Sequence, residues 1–449
     1  MSTLLPRLAD ALARLSTRWV PDAFSIAALL TFLTIALGLA LGGATPAECA
    51  TAWGNGVWGL LSFGMQIALV IFAGYVLAVA PPVARALEAL ARVPRGPRSA
   101  VAWTAFLSMA LCWLNWGVGL IASAMLVRTI ARARPDTDYR LLVAVAYLGM
   151  GTTWHGGPSG SVPLLFATPG SFMIKDGLLA GPVPLSQTVF TIANLGLMLV
   201  VVAVLSVFAA LLHPARERTL SLGPEMLAQL ARFEVPTRPA APTPAERLVH
   251  GPWLNRALGL LALAYVLLQA LGGTFTATLD SVNLIALAFG LILHPSPASL
   301  GKAAEEASRP LHGVVLQFPL YAGIYGIIRD TGLVESLTHA FLAVSTPGSY
   351  PFVVFAYSAV LNYWVPSGGA KWAMEAPYVL GAARQLGVPA TTVAMAYAYG
   401  DMATNLIQPF WAIPLLAVAR LEFRDILGYE VLSLAVYTVL VSVALVFVF

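Results

Sequence analysis

The sequence predicts an all-α polytopic membrane protein with about nine transmembrane helices, two opposed re-entrant hairpins and an inverted-topology repeat. Of the 449 residues, 59% are hydrophobic and 10% are charged, whereas roughly a quarter of the residues are charged in a soluble domain. The mean hydropathy is +0.80. Basic residues also collect in alternate loops, and two of the apolar runs carry helix-breaking residues at their midpoints.

Nine apolar runs have about the length of a membrane span. They are residues 24–41, 57–80, 141–167, 189–212, 254–271, 282–293, 313–328, 391–418 and 431–449. The runs 141–167 and 391–418 contain glycine, proline and polar residues near their centres, and we expect each to be a broken span.

The distribution of positive charge predicts the topology. Most of the 25 Lys and Arg residues lie in one alternating set of connections, which the positive-inside rule assigns to the cytoplasm. The basic loops all fall on one side only if the runs 99–127 and 351–383 each leave the membrane on the side from which they entered it. Two arms within such a run reach about 20 Å, less than the ~30 Å hydrocarbon core. We therefore expect a hairpin from the cytoplasmic side and another from the outer side, with the N-terminus cytoplasmic and the C-terminus outside.

An internal repeat follows from matched residues in the two halves. Gly149 and Thr153 recur as Gly400 and Thr404, 251 residues later, in the same order as neighbouring prolines. The distribution of basic residues orients the two halves in opposite directions across the membrane, and such an inverted repeat is typical of transporters. We assign residues 1–212 to the first repeat, 213–253 to a cytoplasmic linker and 254–449 to the second repeat. An amphipathic helix is expected at 4–19 and a short surface helix near 224–233.

Four broken stretches carry the candidate chemistry: 115–119, 151–161, 366–369 and 400–409. Unpaired N–H groups at the start of a half-helix suit a carboxylate, and freed carbonyl groups coordinate Na⁺. Glycines in such stretches also serve simply to bring helices close together.

Four ionisable residues near these breaks have open roles. Asp401 binds Na⁺, exchanges a proton or caps its broken helix. Lys371 meets a substrate carboxylate or pairs with Glu375 four residues later. His155 either forms a hydrogen bond beside the substrate or forms one with backbone groups that the helix break leaves free. No second histidine or cysteine stands at ligand spacing, so no transition metal is expected. No cofactor is expected either.

Three motifs resemble the short-chain fatty acid transporter family. They are WHGGPSGSVPLL at 154–165, LNYWVPSGGAKWAMEAPYV at 361–379 and YGDMATNLIQPFWAIPLL at 399–416. The resemblance implies uptake of acetoacetate or butyrate in bacteria, and the ion-transporter superfamily that includes divalent anion/sodium symporters. It further implies a homodimer, an elevator-type movement and a location in the bacterial inner membrane. It maps Asn115, Ser367 and Gly368 to ion or substrate contact.

The resulting prediction is a cation-coupled secondary transporter of short-chain fatty acids, with Na⁺ or H⁺ as the coupling ion. It expects lipid and a small carboxylate as partners, and no nucleic acid. The predicted substrate contacts are Asn115, Trp116, Thr152, Thr153, Trp154, His155, Gly156, Gly157, Ser159, Ser367, Gly368, Gly369, Lys371 and Asn405. The predicted ion contacts are Asn115, Gly117, Gly149, Thr153, Asn362, Ser367, Asp401, Thr404 and Asn405.

Three alternatives stay open. The first is a carrier for dicarboxylates or other organic anions on the same fold, and the second is a passive channel. The third is a membrane-embedded hydrolase that uses Ser159 and His155. The prediction that the chain is not an enzyme sets the hydrolase last, because the Gly157–Ser161 stretch lacks the spacing of a nucleophile elbow.

Overall fold

A computed structural model describes residues 23–222 and 233–448, which fold into α-helices, short 3₁₀ turns and loops, with no strand among them. The helix predicted at 4–19 lies outside these ranges. So does all but the last residue of the helix predicted at 224–233.

The α-helices are numbered in chain order. The helices before the linker are α1 (Ala23–Leu41), α2 (Pro46–Gly56), α3 (Leu61–Ala78), α4 (Pro81–Leu90), α5 (Pro97–Leu114), α6 (Trp116–Ala133), α7 (Tyr139–Thr152), α8 (Ser161–Ala167), α9 (Phe172–Lys175) and α10 (Ile192–Leu211). The later ones are α11 (Pro244–Val249), α12 (Trp253–Leu271), α13 (Leu279–Leu293), α14 (Pro297–Ser308), α15 (His312–Asp330), α16 (Leu333–Val344), α17 (Tyr350–Trp364), α18 (Gly368–Leu386), α19 (Ala390–Ala403), α20 (Ile413–Ala419) and α21 (Phe423–Phe447).

The prediction of an all-helical membrane fold is confirmed. Within the described ranges, 6 helical segments are long and apolar enough to cross a membrane, and up to 7 if the bent pair α14 and α15 forms one span. The predicted nine differ from this set in two ways: they also counted the two broken spans and the short helix α13, and they left out α6, which is one of the 6 segments but was assigned to a hairpin. The number of spans and the re-entrant hairpins therefore stay predictions.

Three of the four arms of the predicted hairpins are longer than the sequence suggested. Helices α5 and α6 have 18 residues each and α18 has 19, so these arms measure about 27 Å or more at 1.5 Å per residue, whereas α17, with 15 residues, measures about 22 Å. The longer helices continue through the arginines that flank the apolar runs, such as Arg98 and Arg128, because arginine is a good helix former. The expected arm length of about 20 Å was therefore too short for α5, α6 and α18 and close for α17, and length alone does not decide whether these arms cross.

The helices break where the sequence places its breakers. Asn115 separates α5 from α6 in an extended conformation, and its Oδ1 accepts a hydrogen bond from the Val118 N–H at 3.0 Å, as an N-cap does. Residues 365–367, which include Pro366, separate α17 from α18; proline favours a break because it lacks the backbone N–H that an interior helix position donates. Helix α7 ends at Thr152 and α19 at Ala403, each before a 3₁₀ turn.

Matched hydrogen bonds occur in the two halves of the chain. Ser108 Oγ donates to the Ala146 carbonyl at 2.7 Å, and Ser358 Oγ, 250 residues later, donates to the Tyr397 carbonyl at 3.0 Å. Thr153 Oγ1 donates to the Met109 carbonyl and Thr404 Oγ1 to the Ala359 carbonyl, both at 2.7 Å.

Helix packing is reciprocal in the same way. Helix α5 packs on α7, and the corresponding helices of the second half, α17 and α19, pack on each other. Helix α1 packs on α15, and their counterparts α13 and α3 likewise pack on each other. The α5–α7 and α17–α19 contacts join each candidate hairpin to the broken span of its own half, and the α3–α13 and α1–α15 contacts join the two halves.

Candidate functional site

A cavity of about 230 Å³ lies where the broken stretches meet helices α3 and α15. Trp116 of the first half and Gly368 of the second both line it. Its wall is mostly apolar and aromatic, with a few polar groups contributed by several elements. This combination is typical of a site for a small amphipathic molecule.

The start of helix α18 forms one polar part of the cavity lining. Ser367 is the N-cap residue, its hydroxyl makes no capping hydrogen bond, and it lines the cavity with Gly368 and Gly369. The first turn of a helix leaves backbone N–H groups without intrahelical partners and carries a partial positive charge. The cavity therefore has one end that favours an anion.

Gly368 and Gly369 allow the backbone to lie close to its neighbours. A Cβ on Gly368 would lie 2.5 Å from Asp401 Oδ2 and 2.7 Å from His155 Cε1. A Cβ on Gly369 would lie 2.4 Å from Phe63 Cζ. A side chain at Gly368 would displace Asp401 or His155, and one at Gly369 would displace the Phe63 ring.

An ionic cluster lies directly behind this backbone. Lys371 Nζ lies 3.0 Å from Asp401 Oδ1, and the His155 Nδ1 lies 2.9 Å from Asp401 Oδ2. All three residues are fully buried. The ammonium group also donates to the Ser358 carbonyl oxygen at 2.8 Å and to its hydroxyl at 2.9 Å, and it lies 4.7 Å from the centre of the Tyr397 ring. Lys371 thus balances the negative charge of Asp401.

The hydrogen bonds of His155 indicate a neutral imidazole. Its Nε2 accepts the Val162 N–H at 3.1 Å, so that nitrogen carries no proton. Nδ1 then holds the single ring proton and donates it to Asp401. The Trp154 ring stacks on the imidazole, with centroids 4.2 Å apart, and Trp154 itself lines the cavity.

Glu375 stands apart from this cluster. It is fully buried, one turn after Lys371 on α18, and neither carboxyl oxygen has a hydrogen-bond partner within residues 23–222 and 233–448. Lys371 pairs with Asp401 on α19 instead of with Glu375. The pairing of Lys371 with Glu375 that the sequence suggested is therefore not present, while contact of Lys371 with a substrate carboxylate stays a prediction.

Three tryptophans form the aromatic wall. The Trp116 ring centroid lies 5.7 Å from that of Trp154 and 5.4 Å from that of Trp411, in edge-to-face arrangements. Trp411 Nε1 donates to the Pro366 carbonyl at 2.7 Å, which ties the start of α18 to the second broken span.

Hydrogen bonds hold the four broken stretches together. The Trp116 N–H donates to Ser159 Oγ at 3.0 Å within the first half. In the second half, Asn362 Nδ2 donates to Asn405 Oδ1 at 2.9 Å. Asn405 Nδ2 in turn donates to the Met150 carbonyl of α7, also at 2.9 Å, so the halves are joined at the cavity.

The cavity contains part of the predicted site and excludes part of it. The predicted residues that line it are Trp116, Trp154, Asn362, Ser367, Gly368, Gly369, Asp401 and Asn405. The following lie outside its lining and take part in packing or internal hydrogen bonds: Asn115, Gly117, Gly149, Thr152, Thr153, His155, Gly156, Gly157, Ser159, Lys371 and Thr404. Their roles in binding stay predictions.

Helix α15 contributes lining residues that the sequence reasoning missed. Gln317, Phe318 and Tyr321 lie on its cavity face. The matching glutamine of the first half, Gln66, is engaged elsewhere, since its Nε2 donates to Asp280 Oδ1 at 2.8 Å. Gln66 and Gln317 are 251 residues apart, the same offset that relates Gly149 to Gly400. This spacing was the available signal, but it does not tell which copy faces the cavity.

Within the described ranges, no group of three His, Cys, Asp or Glu side chains is arranged to hold a metal ion. The polar groups at the cavity are mainly amides, hydroxyls and backbone N–H groups. Such groups bind small organic ions by hydrogen bonds.

The sequence profile of the short-chain fatty acid transporter family matches residues 4–448. The chain belongs to this family. A protein of Escherichia coli K12, provisionally named a short-chain fatty acid transporter, is 38% identical over 431 residues, which cover 96% of this chain and 97% of that protein. A Haemophilus influenzae protein with the same provisional name is 35% identical over 430 residues, covering 95% and 96%.

One solved structure supports the fold of this family member. The YdaH transporter of Alcanivorax borkumensis matches with a TM-score of 0.59 and 18% identity, over 94% of this chain and 98% of that one. Membership of a transporter family confirms the predictions that the chain is a membrane protein with a small-molecule substrate and is not an enzyme.

Proposed function

We propose that this family member is a secondary active transporter that carries short-chain monocarboxylates, such as butyrate or acetoacetate, across the bacterial inner membrane together with Na⁺ or H⁺. The observation that carries the proposal is the cavity with one anion-favouring end, formed by Ser367, Gly368 and Gly369 at the start of α18. The family supplies the class of substrate.

The carboxylate would bind at the start of α18. Backbone N–H groups of the first turn and the Ser367 hydroxyl would donate to its oxygens. The short alkyl tail would pack on Trp116 and Trp154, which are nearly buried and line the same cavity. Asp401 also lines the cavity, but Lys371 lies 3.0 Å from it and reduces its repulsion of an anion.

The alternating-access part of the proposal rests on the repeated architecture. The matched contacts of Ser108 with Ser358 and of Thr153 with Thr404 support two homologous halves. The arginine-rich loops support opposite orientations, with the N-terminus in the cytoplasm. On this basis we propose two opposed hairpins, an elevator-type movement, the domain boundaries given above, a homodimer in lipid, and a place in the wider ion-transporter superfamily.

Counterflow in proteoliposomes tests the substrate. Vesicles that contain the purified protein and unlabelled butyrate are diluted into labelled butyrate, and transient accumulation is followed against protein-free vesicles. We expect saturable accumulation that acetoacetate suppresses and succinate does not, because the start of α18 would hold one carboxylate and the aromatic lining suits an alkyl tail. Suppression by succinate at equal concentration would favour a dicarboxylate carrier, and flux without saturation or counterflow would indicate a channel. The absence of uptake for every short-chain acid would reject the proposed function.

A further inference from the structure

Glu375 is a buried ionisable residue that the proposed binding mode does not use. It is fully buried on α18, and both carboxyl oxygens lack a hydrogen-bond partner in the described part of the chain. An unpaired carboxylate in such a place is much more costly to bury than the neutral acid. The observed arrangement therefore accommodates Glu375 with its proton.

Two carboxyl groups, those of Asp401 and Glu375, are candidate partners for the ammonium group of Lys371. It now pairs with Asp401 Oδ1 at 3.0 Å. Glu375 follows four residues later on the same helix, a spacing at which oppositely charged side chains attract each other. Loss of the proton from Glu375 would place a second, unpaired negative charge next to the same ammonium group.

The other ionisable groups around Glu375 come from α18, α17 and α19. Those that interact with it electrostatically, besides Lys371, are Tyr378 of α18, Tyr357 of α17, and Tyr397 and Asp401 of α19. Tyr357 and Tyr378 are engaged with each other through a hydrogen bond of 2.8 Å between their hydroxyl groups. Lys371 is thus the positive group in this set.

The remaining helices packed on α18 bring no further charge to Glu375. Helix α8 contains no ionisable residue. On α16, Glu335 and His339 are exposed. The ionisable residues of α15 are engaged elsewhere: His312 and Tyr321 line the cavity, Arg329 and Asp330 pair with each other, and the Tyr325 hydroxyl donates to Asp176.

Resting on the proposed function, we propose that Glu375 carries the coupling proton and that Lys371 transmits its protonation state to the cavity through Asp401. When Glu375 holds its proton, Lys371 neutralises Asp401 and the cavity accepts an anion. When Glu375 has lost it, Lys371 is drawn toward Glu375, and the charge of Asp401 at the cavity wall repels the anion. One proton and one monocarboxylate then cross together, with no net charge moved and no covalent change.

Linkage makes this coupling measurable. Because the anion favours the protonated state, its binding promotes proton uptake, and protonation promotes binding by the same factor. With one linked proton, the affinity for butyrate falls by up to about tenfold for each pH unit above the transition of Glu375. A sodium gradient has no part in this scheme.

The test compares Glu375→Gln, which mimics the protonated acid, with Glu430→Gln as a matched control. Glu430 on α21 is also fully buried with both oxygens unpaired among the described residues, and like Glu375 it does not line the cavity. It differs in having Ile426, and not a lysine, one turn before it on its helix. Each protein is reconstituted, and labelled butyrate is followed in counterflow and under a pH gradient. Protein-free vesicles give the diffusion of the neutral acid, which is subtracted.

We expect Glu375→Gln to lower the ratio of gradient-driven accumulation to counterflow by about tenfold or more, and Glu430→Gln to keep the wild-type ratio. An unchanged ratio in Glu375→Gln, or an equal fall in Glu430→Gln, would overturn the proposal. If the wild-type protein shows counterflow but accumulates butyrate only under a sodium gradient, the proposed transport function stands. The proposal that Glu375 carries the coupling proton is then refuted. No wild-type counterflow would refute both.

A second measurement covers the case in which Glu375→Gln does not fold. Butyrate binding to the detergent-solubilised wild-type protein is measured by calorimetry in two buffers of different ionisation enthalpy. We expect uptake of up to about one proton per bound butyrate on the alkaline side of the transition. Binding without proton uptake throughout the neutral and alkaline range would overturn the proposal.

Discussion

Removal of the Lys371 ammonium group tests how strongly the buried cluster stabilises the fold. The group makes an ion pair with Asp401 and two hydrogen bonds to Ser358, and all three residues are fully buried. Breaking one side of a buried pair costs about 3–5 kcal/mol because it leaves the other charge uncompensated. Lys371→Met keeps most of the side-chain volume, so we expect a loss of that size. Asp401→Asn combined with Lys371→Met removes both charges and recovers about 1–3 kcal/mol relative to the sum of the single changes.

Equilibrium unfolding in mixed micelles, followed by tryptophan fluorescence, measures these free energies. Arg424→Met is the matched control, because Arg424 pairs with Glu422 at 2.7 Å while both side chains are more than half exposed. Such a pair contributes about 0–1 kcal/mol. If Lys371→Met costs no more than Arg424→Met, or if the two changes at Lys371 and Asp401 are simply additive, the cluster is not the buried, charge-balanced unit described here.

Three further predictions concern the cavity and the repeat. Ser367→Ala removes one hydroxyl donor from the anion-favouring end and should weaken butyrate binding by about 1–2 kcal/mol, or roughly five- to thirtyfold; unchanged affinity in a binding titration would place the carboxylate elsewhere. Gly369→Ala should abolish counterflow because the new Cβ would lie 2.4 Å from Phe63 Cζ, and Phe63→Ala should restore part of it; counterflow at the wild-type rate in the single variant would contradict the close packing. Thr153→Val and Thr404→Val each remove an equivalent hydrogen bond of 2.7 Å and should lower stability by about 1 kcal/mol each; a cost at one position only would argue against equivalent roles in the two halves.

Local sequence predicted the helix breaks well because their causes are local. Pro366 cannot donate a backbone N–H to a helix, and Asn115 caps the helix that follows it. These effects depend on neighbours within a few residues, so they can be read without knowing the fold. The same holds for the apolar runs, whose composition alone indicates a membrane.

The length of an apolar run predicted the helix bounds less well than the helix-breaking residues did. The arms of the two candidate hairpins were expected to be short, but α6 alone has 18 residues. Arginine at the end of an apolar run lowers hydropathy without ending the helix. The helix therefore extends beyond the apolar run from which its length was predicted.

The sequence by itself determined that this chain is a helical membrane protein, where its helices break, and which family it resembles, because composition, breakers and motifs act over short distances. Only the tertiary structure decided the partners of the buried charges and the lining of the cavity. Lys371 pairs with Asp401, which lies 30 residues away, rather than with Glu375 in the next turn, and Asp401 also binds His155 from the other half of the chain. Charge pairing in a buried site depends on which helices meet there, and that meeting is set by packing over the whole chain.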